Sequence, residues 1–370
     1  MKKAKVALVH DWLTGQRGGE KVLEVLADIF PEAPIYTLFH FPGTQIPEIE
    51  RRQIITSFLQ GWPLVKAKYR SYLPLFALAV ELFDLQEYDY VISSSHCVAK
   101  GVIPHPEALH VSYVHSPMRY AWNQYFSYFA PQKLGFLKRI LIPPVIHRLR
   151  LWDESSSPRV DYFLANSKTV AWRIWRYYRR EAEVIHPPVD TQFFQPASEQ
   201  GNYYLIVSAL VPYKRIDLAI AAFNQRGERL KIVGQGPDYK KLKKTAKPNI
   251  EFLGSLGAQD LLSVYQKAKS LILPGEEDFG ITSLESQACG VPVIAYGRGG
   301  ATETVVTGKT GLFFGERKVE SLLDILDKFQ GLEFNKSTIR ENALGFSRET
   351  FKAKMTSCLH QKWEEHNNRP

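Results

Sequence analysis

The chain has 370 residues, of which 45% are hydrophobic and 23% are charged, and its 47 Lys and Arg exceed its 38 Asp and Glu by nine. This composition excludes a disordered or fibrous protein, and the length exceeds what one hydrophobic core usually supports, so about two domains are expected. Three widely spaced cysteines, Cys97, Cys289 and Cys358, suit neither a disulfide framework nor a zinc site, which favours a reducing compartment.

The sequence predicts neither a secretion signal nor a membrane-spanning segment. The apolar run Val6–Val9 near the basic start is too short for a signal peptide, and Asp11 follows it closely. No apolar run approaches the roughly 18–20 residues that cross a bilayer. We therefore expect a cytoplasmic protein without an integral membrane segment.

Basic residues are concentrated in one part of the chain. Residues 131–180 hold eleven Lys and Arg against three Asp and Glu, so an anionic partner is expected. Nucleic acid is disfavoured as that partner, because the basic residues lie in helical segments rich in aliphatic side chains and no recognition module is visible.

Short aliphatic runs alternate with amphipathic stretches, which is typical of βαβ units and a parallel sheet. The predicted strands of the first half are Val6–His10, Ile35–Phe39, Tyr90–Ser93, His110–Val114, Tyr162–Ala165 and Val184–Ile185. Those of the second half are Tyr204–Val207, Leu230–Val233, Ile250–Leu253, Leu271–Leu273, Val293–Ala295 and Gly311–Phe313. Between them, residues 186–202 are rich in proline and polar residues and predict a linker. The pattern therefore predicts an α/β fold with two Rossmann-like domains, residues 1–195 and 196–347.

Two candidate sites of the first domain follow predicted strands. Gly18 and Gly19 lie between the first strand and a helix predicted from Glu20, so their backbone could approach a phosphate closely; a glycine turn without a ligand explains them equally well. His115 ends a strand at the edge where α/β sheets bind ligands. His10 occupies a similar position and ranks below His115, since a lone histidine is more often packed or surface-exposed than catalytic.

Two segments of the first domain, Trp62–Phe76 and Phe136–Ile142, mix aromatic, aliphatic and basic residues. This mixture is typical of a segment that lies at an anionic membrane surface. Ordinary helices that pack their apolar side in the core explain it equally well.

In the second domain, Lys214 follows the first strand and precedes a helix predicted over Ile216–Phe223. An ammonium at such a junction can stabilise the negative charge of a departing diphosphate, although a solvated surface lysine is the commoner case. Gly234 and Gly236 form a partial dinucleotide-binding pattern after the next strand, which is a weak signal by itself.

The most informative segment runs from Pro274 to Glu285. Glu277 lies in a predicted loop and Glu285 about two turns inside the helix that follows. Between them, the backbone amides of Phe279, Gly280 and Ile281 form a helix N-terminus, which attracts anions. A diphosphate held there would leave both carboxylates to accept hydrogen bonds from hydroxyl groups. Ordinary surface glutamates at a helix start are the alternative.

Taken in order, these motifs resemble those of family-4 retaining glycosyltransferases of the GT-B fold, over essentially the whole chain. The resemblance rests on Glu277-x7-Glu285 with Phe279-Gly280-Ile281, Gly18-Gly19-Glu20, Tyr113-Val114-His115-Ser116-Pro117, Val211-Pro212-Tyr213-Lys214, Val233-Gly234-Gln235-Gly236-Pro237 and Gly299-Gly300-x-x-Glu303. Within the family, His10-Asp11-Trp12-Leu13 and the segment 114–122 are most similar to bacterial mannosyltransferases that build surface polysaccharides.

The resemblance implies two Rossmann-like domains that face each other across a cleft, with the last helix, about 348–370, crossing back to the first domain. It implies a nucleotide sugar as donor and a glycan or polyprenyl-linked acceptor handled by the first domain on the inner face of the plasma membrane. The implied roles are diphosphate binding by Lys214, sugar contacts from His115 and Glu277, ribose contacts from Glu285, a nucleotide-binding turn at Gly234 and Gly236, and base contacts near Leu253.

Ala209 departs from the family pattern, which usually has an arginine five residues before the lysine. The missing cation predicts weaker donor binding or slower departure of the diphosphate. Arg215 could compensate if its side chain turned towards the donor.

No Asp-x-Asp pair and no His/Cys cluster at metal-ligand spacing occurs in the sequence, so we expect neither a metal nor another cofactor. We therefore expect a metal-independent glycosyltransferase that moves a hexose, mannose from GDP-mannose being the first choice, with retention at the anomeric carbon. Two alternatives stay open: a sugar-nucleotide epimerase of related fold, and a nucleotide-sugar-binding protein with weak activity, which Ala209 favours.

Overall fold

The computed structural model describes residues 4–16, 18–129, 135–199 and 201–368. The chain forms two compact units, the first made of Met1–Pro187 with Phe351–Pro370 and the second of Pro188–Thr350. Each unit contains one parallel sheet with helices around it. The predicted α/β architecture of two Rossmann-like units is confirmed.

The first unit is built on a seven-stranded sheet. Its strands are β1 Val6–His10, β2 Ile35–Thr37, β3 Ile54–Thr56, β4 Tyr90–Ser95, β5 Leu109–Val114, β6 Tyr162–Ala165 and β7 Ala182–Val184. They lie in the order β3-β2-β1-β4-β5-β6-β7, and every neighbouring pair is parallel. The helices of this part are α1 Gly18–Ile29, α2 Pro47–Glu50, α3 Val65–Lys68, α4 Phe76–Glu81, α5 Tyr125–Tyr128, α6 Phe136–Ser155 and α7 Lys168–Tyr178.

The second unit is built on a six-stranded sheet. Its strands are β8 Tyr203–Val207, β9 Leu230–Val233, β10 Ile250–Gly254, β11 Ala268–Leu273, β12 Val293–Tyr296 and β13 Gly311–Phe314. Their order is β10-β9-β8-β11-β12-β13, again with parallel neighbours. The helices of this part are α8 Ile216–Arg226, α9 Tyr239–Thr245, α10 Ala258–Gln266, α11 Ile281–Ala288, α12 Ala301–Thr304, α13 Val319–Gln330 and α14 Lys336–Leu344. The last helix, α15 Arg348–Asn367, lies for most of its length in the first unit.

Burial explains why the strands read as aliphatic runs. All residues of β4 and β5 are buried, because helices cover both faces of a parallel sheet. Both faces therefore carry apolar residues, and polar ones such as Ser94 and His110 are buried with them. The same covering buries both faces of β8, apart from its partly exposed last residue. Strand β3 was not predicted, since three residues, Ile54 to Thr56, are too few to show a pattern.

The division between the units differs from the predicted domains, 1–195 and 196–347, because it falls after Pro187 and after Thr350. Residues after Pro187 belong to the second unit since Val189 and Phe194 are buried in its core, where the Phe194 ring contacts Tyr265 at a centroid distance of 5.7 Å. Gln200 of the predicted linker lies outside the described residues.

Helix α15 packs on the first unit. The Ser347 hydroxyl accepts a hydrogen bond from the Thr350 amide at 3.2 Å, which caps the start of the helix. Further along, Phe351, Met355 and Leu359 are buried in the same apolar cluster as residues of α1 and β1, as the predicted return of the last helix requires. The last two residues of the predicted helix, 369–370, lie outside the described residues.

None of the described helices is both long and apolar enough to cross a membrane.

Candidate functional site

The loops at the carboxyl edge of the second sheet touch through their backbones at glycines. A Cβ atom on Gly234 would lie 1.9 Å from the carbonyl oxygen of Ser208, and one on Gly236 would lie 2.3 Å from that of Leu210. Gly234 also has a φ of 132°, which side chains disfavour. The two glycines singled out in the sequence therefore let the loop after β9 lie directly against the loop after β8, which leads to Lys214.

The loop after β11 approaches the same lysine. A Cβ on Gly275 would lie 2.7 Å from the Cα of Lys214, so glycine is required for this contact. Two residues further on, Glu277 forms an ion pair with the Lys214 ammonium. Both side chains are largely shielded from water, with 15% of Lys214 and 11% of Glu277 exposed. The structure therefore joins the lysine and the first glutamate, which are 63 residues apart in the sequence.

A turn after β12 holds the loop that carries Glu277. The Gly300 amide donates to the Glu277 carbonyl at 2.9 Å, and a Cβ on Gly300 would lie 2.3 Å from the Cα of Phe279. Gly280 then takes a left-handed conformation, φ 88°, as the cap before Ile281, the first residue of α11. Phe279 is buried. The amides at Phe279, Gly280 and Ile281 thus belong to a braced helix start, where partial positive charge accumulates.

Glu285 lies about one turn inside α11, not two as predicted, because the helix begins at Ile281. It is 6% exposed, and its carboxylate accepts a hydrogen bond from the Tyr265 hydroxyl at 2.9 Å. Burial and the nearby Glu285 carboxylate raise the pKa of Tyr265 well above its usual value, so the hydroxyl remains a donor. Both predicted glutamates are therefore buried in the second unit instead of lying on its outer surface.

The predicted substitute for the missing arginine has another partner. Ala209 is exposed on the loop after β8. The Arg215 guanidinium contacts the Asp217 carboxylate, with Nε 3.1 Å from Oδ1 and Nη2 3.1 Å from Oδ2. This two-point contact pairs the side chain with a carboxylate in the first turn of its own helix. Leu253, expected near a base, lies at the end of β10 and packs on the core of the second unit.

In the first unit, Gly19 and His115 lie next to each other. Gly18 begins α1, and a Cβ on Gly19 would contact His10 Cε1 and His115 Nε2, each at 3.5 Å. The Ser94 hydroxyl links the two histidines, 3.1 Å from His10 Nδ1 and 2.8 Å from His115 Nε2. Burial, with a smaller contribution from His96, lowers the pKa of His10 to about 3, so this ring stays neutral near pH 7.

Asp11 is a structural residue that the sequence reasoning missed. Its buried carboxylate accepts hydrogen bonds from the amides of four consecutive residues, 96–99, at 2.6 to 2.9 Å. It also lies 3.0 Å from Nδ1 of His96. Asp11 therefore holds the loop after β4 beside the histidines. The available signal was a charged residue directly after a buried strand, which is rare unless the charge is paired.

Ser94 and Tyr265 were missed as well. Ser94 is the last residue but one of a fully buried strand, and Tyr265 is a buried residue near the end of α10; no local pattern distinguishes either from core residues. Among the described residues, no group of three or more His, Cys, Asp or Glu side chains is arranged to hold a metal ion.

Residues 189–344 match the family model of glycosyl transferases group 1, which covers nearly all of the second unit. An uncharacterized glycosyltransferase of Methanocaldococcus jannaschii, MJ1178, is 29% identical over 222 residues, 58% of this chain and 63% of that protein. A GDP-mannose-dependent monoacylated alpha-(1-6)-phosphatidylinositol monomannoside mannosyltransferase of Corynebacterium glutamicum is 37% identical over 154 residues, 37% of this chain and 39% of that protein. The chain thus aligns with less than two thirds of the length of these curated relatives.

The fold is similar to that of solved glycosyltransferase structures. The crystal structure of Anabaena Alr3699/HepE in complex with UDP superimposes with a TM-score of 0.71 at 16% sequence identity, over 96% of this chain and 100% of that chain. At this identity the similarity concerns the fold alone. Residues 189–344 thus match the model of glycosyl transferases group 1, the chain has the GT-B fold, and mannosyltransferases are among the proteins to which it is similar.

Proposed function

We propose that this protein transfers a hexose from a nucleotide diphosphate sugar to a glycan or lipid-linked acceptor with retention at the anomeric carbon, and that the donor is GDP-mannose. The observation that carries the proposal is the shielded Lys214–Glu277 pair, which lies beside the start of α11. A cation and amide dipoles suit a diphosphate, whereas carboxylates suit hydroxyl groups. The matched family and the GDP-mannose-dependent relative support this choice.

Each group has a distinct role in the proposed reaction. Lys214 and the amides from Phe279 to Ile281 stabilise the charge that develops on the departing diphosphate. Glu277 accepts hydrogen bonds from the sugar, and Glu285, oriented by Tyr265, accepts them from the ribose. His115 contacts a sugar hydroxyl.

Retention follows a front-side route. The bond between the anomeric carbon and the phosphate oxygen breaks, and the acceptor oxygen bonds to the same face of that carbon. The acceptor proton passes to an oxygen of the departing diphosphate. The enzyme then needs no nucleophile of its own, and the chemistry depends on positioning and charge stabilisation.

The test is to incubate the purified protein with GDP-mannose and, separately, with UDP-sugars, with and without a bacterial lipid extract. We expect acceptor-dependent release of GDP, and a loss of at least about a hundredfold in Lys214→Gln, by analogy with removal of one charge-stabilising donor. A changed sugar without release of nucleotide would indicate an epimerase, which the described relatives do not support. Binding without turnover would indicate a nucleotide-sugar-binding protein.

We further propose that the first unit binds an anionic membrane surface. At the start of α6, Phe136 is 80% and Leu137 is 67% exposed, and Lys138 and Arg139 are exposed beside them. Residues 62–70 likewise expose Trp62 and Leu64 with Lys66, Lys68 and Arg70. Both segments anchor in the same buried cluster, through Val65 and Ile142 among others. Exposed apolar and basic side chains together fit a surface with acidic headgroups.

Sedimentation with vesicles tests this surface. We expect binding to vesicles that contain phosphatidylglycerol, weaker binding at high salt, and little binding to pure phosphatidylcholine. Replacing Phe136 and Leu137 by serine should reduce binding. Trp172→Ser, which removes an exposed aromatic residue of α7, is the matched control. Equal binding to both kinds of vesicle, or an equal loss in the control, would contradict the proposal.

A further inference from the structure

The two side chains that would bind the proposed donor, Lys214 and Glu277, are already paired with each other. The Lys214 ammonium is in contact with the Glu277 carboxylate, and their backbones are held by the close approach of Gly275 to Lys214 and by the hydrogen bond from Gly300 to Glu277. The pair is therefore built into the contacts between the loops after β8, β11 and β12. It is not a chance encounter of two long surface side chains.

The neighbouring cations have partners of their own. Arg215 contacts Asp217, and Arg317 contacts Glu276 at 2.7 Å while its guanidinium lies over the Tyr296 ring. In the part of the chain that the structure describes, the ion pair of Glu277 is the one with Lys214. Ala209 carries no charge, so it adds no cation to the loop that bears Lys214.

An intact donor and its nucleotide product differ in what they offer to this pair. A donor replaces both partners, because its diphosphate binds the ammonium and its sugar hydroxyls donate to the carboxylate. A nucleoside diphosphate can replace only the carboxylate on Lys214. It would leave the shielded carboxylate of Glu277 without its cation and close to the added negative charge, which is unfavourable.

We propose that Glu277 competes with the diphosphate for Lys214 and so weakens binding of the nucleoside diphosphate product relative to the sugar donor. Once the sugar has left, the carboxylate recaptures the ammonium, and the product dissociates faster. This inference rests on the proposed function. It adds a second role for Glu277, as a residue that discriminates donor from product.

The inference predicts that removing the charge of one binding residue tightens binding of the product. Glu277→Gln should bind GDP or UDP about tenfold more tightly than the parent protein in isothermal titration calorimetry, a change of ~1.4 kcal/mol. Glutamine at this position keeps an amide oxygen that could still contact the Lys214 ammonium, whereas alanine does not. Glu277→Ala should therefore tighten binding of the product at least as much. Transfer activity should fall in both, because the sugar loses its acceptor. A merely structural defect would weaken binding and activity together.

Glu276→Gln is the matched control, because it removes the same charge from the adjacent residue, which contacts Arg317 at 2.7 Å. It should change nucleotide affinity by less than about twofold, since the charge change alone is screened at the partly exposed position. The effect of Glu277→Gln should also disappear when Lys214 is replaced by glutamine, which a double-mutant cycle measures.

The outcomes separate this inference from the function on which it rests. If the parent protein binds a nucleoside diphosphate but Glu277→Gln does not tighten binding, or if Glu276→Gln tightens it equally, the competition is disproved and the transferase proposal stands. If neither GDP nor UDP binds the parent protein or any variant, both proposals are overturned.

Discussion

Lys214, Glu277 and Glu285 are restrained in different ways. Lys214 and Glu277 hold each other, so a ligand that contacts one of them affects the other. Glu285 instead accepts from the neutral hydroxyl of Tyr265, whose pKa is raised far above its usual value by burial. A neutral partner leaves the negative charge of Glu285 in place to receive further hydrogen bonds. The Glu285 carboxylate is thus held in position, whereas the Glu277 carboxylate exchanges partners.

Restoring a cation at position 209 should strengthen the site. Ala209→Arg places a guanidinium on the exposed loop that leads to Lys214, and a hydrogen bond to a charged group contributes about 1.5–3 kcal/mol. We expect kcat/KM for the donor to rise about tenfold, measured by release of nucleoside diphosphate. Ala209→Gln, of similar length without the charge, should show no such gain. An unchanged value in the arginine variant would show that position 209 does not reach the phosphates.

The loops of the second unit act as one assembly, because their backbones are in contact. Gly275 touches the backbone of Lys214, and Gly299 and Gly300 touch the loop from Glu277 to Phe279. Such contacts leave no room for a methyl group, and backbone atoms cannot rotate away as a flexible side chain can. The positions of Lys214 and Glu277 thus depend on residues that carry no chemistry of their own.

Gly275→Ala tests this dependence. The added Cβ would meet the Lys214 backbone at 2.7 to 2.8 Å, so we expect the free energy of unfolding to fall by about 1–3 kcal/mol, as in an overpacked core. Nucleoside diphosphate affinity should also fall. Gly257→Ala is the control, because a Cβ there meets nothing within 4 Å. Urea unfolding and calorimetry measure the two quantities, and equal effects at both positions would contradict the argument.

A buried ion pair joins helix α6 to the rest of the first unit. Lys100 lies 3.1 Å from the Asp153 carboxylate, which also accepts from the Trp122 indole and the Tyr178 hydroxyl, each at 2.7 Å. Burial lowers the pKa of Lys100, but the carboxylate and the Ser156 hydroxyl, 2.9 Å away, give the ammonium partners that compensate for lost water. Removing either charge leaves the other uncompensated.

Lys100→Met should therefore be strongly destabilising. Loss of one partner of a buried pair costs about 3–5 kcal/mol, and urea unfolding should show it. Lys5→Met is the comparison, because the Lys5–Glu87 pair is about 65% exposed on both sides and such pairs contribute at most about 1 kcal/mol. Equal losses of stability in the two variants would show that the buried Lys100–Asp153 pair contributes no more than the exposed Lys5–Glu87 pair.

The two units have separate cores, and buried histidines are a feature of the first. Burial lowers the pKa of His10 to about 3 and that of His110 to about 4. His110 contacts the Ser93 hydroxyl and the Arg159 carbonyl, each at 2.9 Å, so its neutral form is fixed by packing and hydrogen bonds. An unfolded chain protonates histidine at about 6.5. Between these values the unfolded chain binds protons that the folded unit does not.

This difference fixes the direction of the pH dependence. Because both pKa values are lowered by folding, the stability is complete above about pH 6.5 and is lost as the pH falls towards 4. Each histidine should cost about 2 kcal/mol between pH 7.5 and pH 5, measured by urea unfolding followed by a probe of the first unit. His10→Gln should remove about half of the combined loss, whereas His147→Gln, at an exposed position on α6, should not. A free energy of unfolding that is the same at pH 7.5 and pH 5 would contradict the conclusion that burial keeps His10 and His110 neutral.

Short-range patterns were sufficient for most of the fold. The aliphatic runs at Val6–His10, Tyr162–Ala165 and Leu230–Val233 are strands with the predicted ends, because a parallel strand that is covered on both faces is mainly apolar. Gly280, directly before Ile281, also helped to predict the helix start, since a helix cap depends on residues that are neighbours in the sequence. The proline-rich segment was less so: it predicted a linker, but burial of Val189 and Phe194 assigns its first residues to the second unit.

By itself the sequence determined the two α/β units, the loops that carry the candidate residues, and the chemical character of the helix start near Gly280. Only the tertiary structure decided that Glu277 pairs with Lys214, that Tyr265 orients Glu285, and that Asp11 holds the loop after β4. The reason is physical. Strand and helix signals come from neighbours in the chain, whereas these contacts join side chains from different strands and depend on sheet order and on glycines that let the loops approach.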